Sequence, residues 1–470
     1  MRYRKLRAEM EKNMSDNSEK KYLNVFNKVG YGGGDFAANM VYSLVSSFVM
    51  IYLTNIMGMN SGIIGTLILV SKILDGITDL LFGNLIDKTH SKMGKARPWM
   101  LFSYIGNAVV LVALFAIPTS IGDAAKYAYF FIMYTLLNAI FYTANNIAYS
   151  ALTSLITKNG NERVQMGTFR FIGSTIGNVV VSNYALILVE RFGGGNVGWK
   201  ATAIIFAVIG LVVNTISVFT VKELPEESLY EGNAQEAPKS LSLVETLKTL
   251  LSNKYFNMLA LLYLLFYMMQ GISMGSAVYY FLYNCGDAGW FGKMVSSSSI
   301  ASVIGLILAP LLVKKCKSIR LLNILFFSVN LIIRFVFLVF AMNNNAAALA
   351  TTFALIALTM CTLGGTFNAL VSEAADYTFA KTSKRIDGSM YSCTSFGMKV
   401  GGGLGSAIQG WLLAASGFAA AETVQSASTA GMLTFMFAGV PVIITAIVLF
   451  IYYKLDVEKA NAKLRSGGKV

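Results

Sequence analysis

Long apolar runs joined by short polar segments make up almost the whole chain. The runs are residues 33–57, 61–86, 98–117, 127–157, 166–189, 200–221, 255–284, 290–313, 320–341, 347–379, 388–416 and 429–453. A helix needs about 20 residues to cross the hydrocarbon core of a bilayer, and the runs reach that length. Strands of a membrane barrel would instead be segments of about ten residues with alternating hydrophobicity. The pattern therefore predicts twelve transmembrane helices, numbered helix 1 to helix 12 along the chain.

One polar segment divides the predicted helices into two sets of six. It contains KELPEESLYEGNAQEAPKS. The basic loops after helices 2 and 8 lie at equivalent places in the two sets, as in duplicated transporter halves. We predict an all-α membrane protein with two pseudo-symmetric six-helix bundles. Its parts are a tail at 1–32, a bundle at 33–221, a central loop at 222–254, a bundle at 255–453 and a tail at 454–470.

Charge is scarce and unevenly placed. Charged residues make up 13% of the chain, against roughly 25% in soluble domains. Most of the 38 Lys and Arg residues lie in the predicted tails and alternate loops, and the intervening loops hold only Lys126, Arg191, Lys200 and Lys293. This bias predicts a multi-pass protein of the cell membrane with both termini in the cytoplasm, and it accounts for the net charge of +14 without a nucleic-acid partner. The basic N-terminal segment lacks an apolar core before a cleavage site, so we expect no removable signal peptide.

Helix 2 carries three ionisable residues inside its apolar run. Lys72, Asp75 and Asp79 are spaced by three and four residues and share one helical face, and Thr78 adds a hydroxyl to nearly the same side. Ionisable residues inside a membrane are costly and mark functional sites. Two carboxylates on one buried face resist joint ionisation, and Lys72 offsets only one of them. The pattern predicts a proton or hard cation bound at Asp75 and Asp79; the alternative is an ion pair that only fixes helix packing.

Other helices add polar side chains that suit a sugar. On helix 4, Thr143, Asn146 and Tyr149 share one stripe, whose groups can bind sugar hydroxyls or bond to neighbouring helices. Arg170 lies early in helix 5, and its fork of donors can span two hydroxyls or pair with a carboxylate. Asp35 follows GYGGG at the predicted start of helix 1. The glycines permit irregular backbone beside a cavity, unless Asp35 is a plain helix cap.

Lys399 lies in the glycine-rich segment FGMKVGGGLGS of helix 11. The glycines allow another helix to approach closely. A lysine inside a membrane requires an anion or water beside it. The carboxylates of helix 2 are the candidate partners.

Three stretches resemble the glycoside–pentoside–hexuronide:cation symporters of the major facilitator superfamily, typified by melibiose permease. They are GGDFAANMVYSLVSSFVMIYLTNIMG, ILDGITDLLFGNLIDKTHSKMGKARPW and SEAADYTFAKTSKRIDGSMYS. The resemblance implies the major facilitator fold. It also implies a cation site on helix 2, at Asp75 and Asp79, with Thr78 beside them and Thr143 of helix 4 as a further ligand.

The same resemblance bears on the sugar. It implies a sugar ligand at Asp35 and matches the family's basic residues of helices 5 and 11 to Arg170 and Lys399. Melibiose permease has a lysine where Gly34 stands here and an aspartate where Asn146 stands. The resemblance therefore keeps the cation pocket and alters the sugar pocket, and Asn146 is similar to the pentoside and hexuronide branches.

These observations predict a secondary active sugar transporter coupled to Na⁺, H⁺ or Li⁺ by alternating access. We expect a sugar, a monovalent cation and the lipid bilayer as partners, no cofactor and a functional monomer. Lys72 and Lys399 are expected to balance charge, and Asp87, Asp376 and Arg385 to form a cytoplasmic gate. The sequence has neither a phosphate-binding GxxxxGK[ST] loop nor a catalytic cluster, so we expect no ATP-driven transport and no enzyme. A passive facilitator of the same fold and a membrane sugar sensor are the alternatives.

Overall fold

The structure, a computed structural model, describes residues 20–225, 248, 250–316, 318–382 and 392–465. These residues form twelve long helices and a short C-terminal one. The helices are α1 (Val25–Ile51 with a π turn at Tyr52–Ile56), α2 (Ser61–Asp87), α3 (Arg97–Leu114), α4 (Asp123–Thr135, a π segment at Leu136–Tyr142, and Thr143–Ile156), α5 (Gly160–Arg191), α6 (Gly195–Thr220), α7 (Lys254–Tyr279 with a π turn at Tyr280–Asn284), α8 (Gly289–Lys315), α9 (Ile319–Met342), α10 (Ala346–Thr382), α11 (Ser392–Ala415), α12 (Ala427–Thr434, a π turn at Phe435–Gly439, and Val440–Lys454) and α13 (Val457–Arg465).

The predicted all-α architecture with twelve long helices is confirmed. Nine of the helices are long and apolar enough to cross a membrane when only the described residues are considered. The helix ends in the structure differ most from the predicted ends where a polar turn precedes an apolar run. For example, α5 begins at Gly160 instead of residue 166, because the Asn159 side chain accepts hydrogen bonds from the N–H groups of Asn161 and Glu162 and caps the helix.

The helices group into two compact units. The first unit comprises the described residues of Met1–Ser46 and Ile77–Gln235, and the second comprises those of Ser47–Gly76 and Glu236–Val470. Each unit has its own apolar core, around Tyr31, Met100 and Tyr149 in the first and around Phe367 and Tyr452 in the second. The division differs from the sequence-based bundles at one place, because the end of α1 and the beginning of α2 belong to the second unit.

Direct contacts explain why this segment belongs to the second unit. The Phe48 ring packs edge-on against Phe291 of α8, with ring centroids 5.7 Å apart. The Thr54 hydroxyl lies 2.7 Å from the hydroxyl of Tyr279 on α7. Farther along, the Trp411 indole of α11 donates to a hydroxyl of α2, on Thr66, at 3.0 Å.

A carboxylate after the last helix of the first unit caps the beginning of α3. Glu223 accepts hydrogen bonds from the backbone N–H groups of Lys95, Ala96 and Arg97 at 2.7, 2.9 and 3.0 Å. The Arg97 guanidinium in turn donates to the carbonyl of Val218 near the end of α6 at 2.8 Å. A negative charge at a helix N-terminus satisfies free N–H groups and interacts favourably with the helix dipole.

The second unit repeats this arrangement at α9. Glu458 accepts from the Ser318 hydroxyl at 2.7 Å and from the N–H groups of Ile319 and Arg320 at 2.9 and 3.1 Å. The Arg320 guanidinium donates to the Tyr452 carbonyl near the end of α12 at 3.2 Å. In each unit, a Glu that follows the last helix caps the third helix, and an Arg of the third helix donates to a carbonyl of the last one. The same arrangement in both units is expected of duplicated halves.

Candidate functional site

Glycines bring α1 and α5 close together in the first unit. A Cβ added to Gly32 would lie 2.6 Å from the carbonyl oxygen of Phe169, and one added to Gly177 would lie 2.8 Å from that of Phe36. A Cβ on Gly173 would collide with the carbonyl of Gly32. These positions tolerate no side chain unless the two helices separate, so the glycines set the helix spacing.

This spacing places Asp35 of α1 beside Arg170 of α5. The Arg170 Nε donates to Asp35 Oδ2 at 2.7 Å, and a second guanidinium nitrogen lies 3.5 Å from Oδ1. The side chains are 17% and 24% exposed, so the ion pair is largely buried but still reachable. The prediction that glycines before Asp35 form irregular backbone is wrong, and so is the helix-cap alternative, because α1 begins at Val25 and runs unbroken through Asp35.

Tyr149 of α4 lies behind the ion pair. The Arg170 guanidinium sits 4.3 Å from the centroid of the Tyr149 ring, and the Tyr31 ring centroid lies 4.6 Å away. The Tyr149 hydroxyl donates to the Tyr31 carbonyl at 2.6 Å. A Cβ on Gly34 would lie 2.6 Å from the Tyr149 ring, so that position must be glycine for Tyr149 to pack there. Tyr149 is 2% exposed and therefore positions Arg170.

Sequence reasoning missed a second link between the two helices. The Asn39 amide donates to the Asp35 carbonyl and to the Ser174 hydroxyl, both at 2.9 Å. Asn39 follows Asp35 by four residues, and Ser174 follows Arg170 by four. The helical spacing from each member of the ion pair is the signal that could have identified them.

The polar stripe predicted on α4 is divided in the structure. Thr143 is 4% exposed and Tyr149 is buried, whereas Asn146 is exposed. Asn146 makes no hydrogen bond to any residue that the structure describes. Its amide is therefore available to a ligand, while Thr143 lies in the helix-packing interior.

In the second unit, glycines of α11 fit against α7. A Cβ on Gly405 would lie 2.5 Å from the Met268 carbonyl oxygen, and one on Gly401 would collide with the Leu264 carbonyl. Between these positions, a Cβ on Gly403 would lie 3.0 Å from the Cβ of Lys72 on α2. The glycine-rich segment thus packs tightly on both sides and fixes the position of Lys399.

Lys399 and Lys72 both face Asp75. The Lys399 ammonium lies 3.0 Å from Asp75 Oδ1 and also donates to the Asp75 carbonyl at 3.0 Å. The Lys72 ammonium lies 3.7 Å from Oδ2. The Asp75 side chain is 8% exposed, and those of Lys72 and Lys399 are 20% and 19% exposed. One buried carboxylate therefore contacts two ammonium groups, one from its own helix and one from α11.

The structure describes some of the remaining predicted residues and leaves others out. Thr78 and Asp79 are half-buried on the continuation of α2, in the first unit. Asp376 is exposed on α10. Asp87 is the last residue of α2, but its side chain, like the whole of Arg385, lies outside the described residues.

The chemistry of the two clusters is that of binding. Asp35 and Arg170 offer a carboxylate and a fork of N–H donors, which suit the paired hydroxyls of a sugar. Asp75 offers carboxylate oxygens, which suit a proton or a hard cation. Across the described part of the chain, no group of three or more His, Cys, Asp or Glu side chains is placed to hold a metal ion.

Comparison with known proteins identifies the family of the chain. A family profile described as MFS/sugar transport protein matches residues 30–459. The inner membrane symporter YicJ of Escherichia coli (strain K12) is 29% identical, with 92% of each chain covered. The isoprimeverose transporter of Lactiplantibacillus pentosus is 28% identical, with 91% of this chain and 88% of that protein covered.

The fold is also similar to solved transporter structures. A mutant form of the nucleoside transporter NupG superposes with a TM-score of 0.64 at 15% identity, covering 91% of this chain and 99% of that one. This match shows the fold. The family that the profile describes is one of transporters and not of enzymes. The chain resembles the glycoside–pentoside–hexuronide:cation symporters, among which its relatives fall, and it belongs to the MFS/sugar transport protein family.

Proposed function

We propose that this chain takes up a glycoside, pentoside or hexuronide together with a monovalent cation, by alternating access. One relative is named a symporter and another an isoprimeverose transporter, which supports sugar transport by symport. The basic loops support a place in the cytoplasmic membrane with both termini in the cytoplasm. Bundles at 33–221 and 255–453 suffice for a transport pathway, so a monomer is the proposed functional unit.

The observation that carries the proposal is the pairing of Asp75 with Lys399. A cation that binds at Oδ1 needs the place where the Lys399 ammonium lies, 3.0 Å away. The lysine is therefore an internal substitute for the coupling cation. Asp75 holds Lys399 when the cation is absent and releases it when the cation arrives.

The other oxygen ligands of the cation are proposed from the sequence. Thr78 and Asp79 follow Asp75 along α2 by three and four residues, and Thr143 of α4 is the fourth proposed ligand. Na⁺, Li⁺ and H⁺ are all compatible with carboxylate and hydroxyl oxygens. Because binding of sugar and cation is linked, each raises the affinity of the other by the same factor.

The sugar site is proposed at the buried ion pair of the first unit. Asp35 would accept hydrogen bonds from sugar hydroxyls and Arg170 would donate to them. The Asn146 amide would add a donor and an acceptor. Tyr149 contributes by holding the guanidinium in place. A cytoplasmic gate is proposed at Asp87, Asp376 and Arg385, where charge pairs would hold one state closed.

The test is uptake of radiolabelled sugars into proteoliposomes, run with a panel of glycosides under inward gradients of Na⁺, Li⁺ and H⁺ in turn. We expect accumulation above the external concentration with at least one cation, and its loss in Asp75→Asn. Asp123→Asn is the matched control, because the Asp123 side chain is 87% exposed. Equal equilibration with and without every gradient would show a passive facilitator and contradict the proposal.

A further inference from the structure

A basic cavity in the first unit shares no lining residue with either cluster. Its volume is about 560 Å³, and it opens between the α2–α3 connection and the segment after α6. Lys92, Lys95, Arg97 and Lys222 line it, together with His90 and a single acidic residue, Glu223. The cavity has the size of a small-molecule site.

The carboxylate in the cavity is already engaged. Both Glu223 oxygens accept backbone N–H groups at the beginning of α3, at 2.7 to 3.0 Å. Gly94 has a φ of +106°, and a Cβ there would collide with the Glu223 carboxyl group. The turn is therefore shaped around the Glu223 carboxylate. Glu223 could pair with the lysines of the cavity only by giving up its hydrogen bonds to three backbone N–H groups.

Two of the lysines lack a counter-charge. Lys92 and Lys222 are exposed, and neither makes a hydrogen bond or ion pair with any residue in the described ranges. With Lys95 and Arg97, the described lining of the cavity holds four Lys and Arg side chains and one carboxylate. Basic pockets beside the cytoplasmic ends of membrane helices bind phosphate-bearing head groups.

We propose that this cavity binds a phosphate-bearing anion, with Lys92 and Lys222 as its principal contacts. Phosphate oxygens are strong acceptors for ammonium and guanidinium donors. The phosphate could belong to the head group of an anionic phospholipid or to a soluble phosphate ester, and the two sources offer the same chemistry. The site is independent of the proposed sugar and cation sites.

The test is binding of three probes to the purified full-length protein in detergent, followed by microscale thermophoresis. The probes are short-chain phosphatidylglycerol, short-chain phosphatidylcholine and glycerol 1-phosphate. We expect phosphatidylglycerol, glycerol 1-phosphate or both to bind more tightly than phosphatidylcholine. Lys92→Ala/Lys222→Ala should weaken that binding about 25-fold, which corresponds to about 1 kcal/mol for each lysine.

A matched control variant distinguishes binding at this cavity from a general effect of positive surface charge. Arg191→Ala/Lys200→Ala removes two exposed basic residues elsewhere in the first unit and should leave binding unchanged. If the double variant of the cavity does not fold, each single variant should still weaken binding about fivefold.

The pattern of probes identifies the source of the phosphate. Binding of phosphatidylglycerol alone assigns a lipid head group, binding of glycerol 1-phosphate alone assigns a soluble ester, and binding of both assigns the phosphate group itself. The proposal is overturned if no probe binds more tightly than phosphatidylcholine, or if the cavity variants bind as the wild type does.

Discussion

Replacing Asp75 by asparagine should separate sugar movement from cation movement. The side chain keeps its shape but loses the charge that holds Lys399 at 3.0 Å and Lys72 at 3.7 Å. It also loses the oxygen charge that would attract a coupling cation. We therefore expect the variant to exchange sugar across the membrane without accumulating it.

The size of the effect follows from the driving force. A membrane potential of 100 mV supplies about 2.3 kcal/mol for one monovalent cation, and a tenfold cation gradient adds about 1.4 kcal/mol. Their sum of about 3.7 kcal/mol supports accumulation of an uncharged sugar by roughly 500-fold. Without coupling, the ratio of internal to external sugar falls to one.

Stability should fall as well, because the substitution leaves two ammonium groups beside a neutral amide. Breaking a buried ion pair by removing one partner costs about 3–5 kcal/mol. The lysine side chains are about one-fifth exposed, so we expect the lower end, about 3 kcal/mol. Asp75→Asn/Lys399→Gln should recover part of this stability, since it removes one ammonium group, but it should not recover accumulation.

The assay is uptake of radiolabelled sugar into proteoliposomes under an imposed potential and cation gradient, with sugar exchange measured in the same preparation. Exchange that persists shows that the variant is folded and active. Accumulation of 50-fold or more by Asp75→Asn, under conditions where the wild type reaches several hundred-fold, would refute the role given to this carboxylate.

Three further predictions concern the other parts of the molecule. Arg170→Lys should raise the KM for sugar uptake at least tenfold, because lysine keeps the charge near Asp35 but lacks the fork of donors. Gly34→Ala should lower the free energy of unfolding by about 1–3 kcal/mol, measured by denaturant titration, since the new methyl group collides with the Tyr149 ring. Glu458→Gln should lower it by about 1–2 kcal/mol, because the amide loses the charge that caps α9; an unchanged value in either variant would contradict these packing and capping roles.

The helix count and the division into two sets of six could be predicted from the sequence, because each span is an uninterrupted apolar run. The extent of α1 could not. Its beginning at Val25 lies in a polar stretch outside the apolar run, so hydropathy alone placed Asp35 at a helix end. The structure places Asp35 in the helix interior and gives the neighbouring glycines a packing role.

The candidate residues were found because charges inside apolar runs are conspicuous. The sequence named the carboxylates of helix 2 as candidate partners of Lys399, but the spacing of α2 does not show that Lys399 and Lys72 both contact Asp75. Nor does the spacing of α4 show that Asn146 is exposed while Tyr149 is buried against Tyr31 and Arg170. These contacts depend on how helices that are far apart in sequence pack against each other. Glycines of α5 and α11 set that packing by allowing close approach, and composition does not show where such glycines meet another helix.

The central claim is that a cation and a sugar cross together because the cation displaces Lys399 from Asp75. The most direct measurement is ion movement driven by sugar alone, in proteoliposomes with no imposed ion gradient, using radioactive sodium, lithium analysis and an internal pH dye. An inward sugar gradient should drive influx of Na⁺, Li⁺ or H⁺, and Asp75→Asn should abolish that influx. Sugar that equilibrates while none of the three ions moves with it would contradict the account.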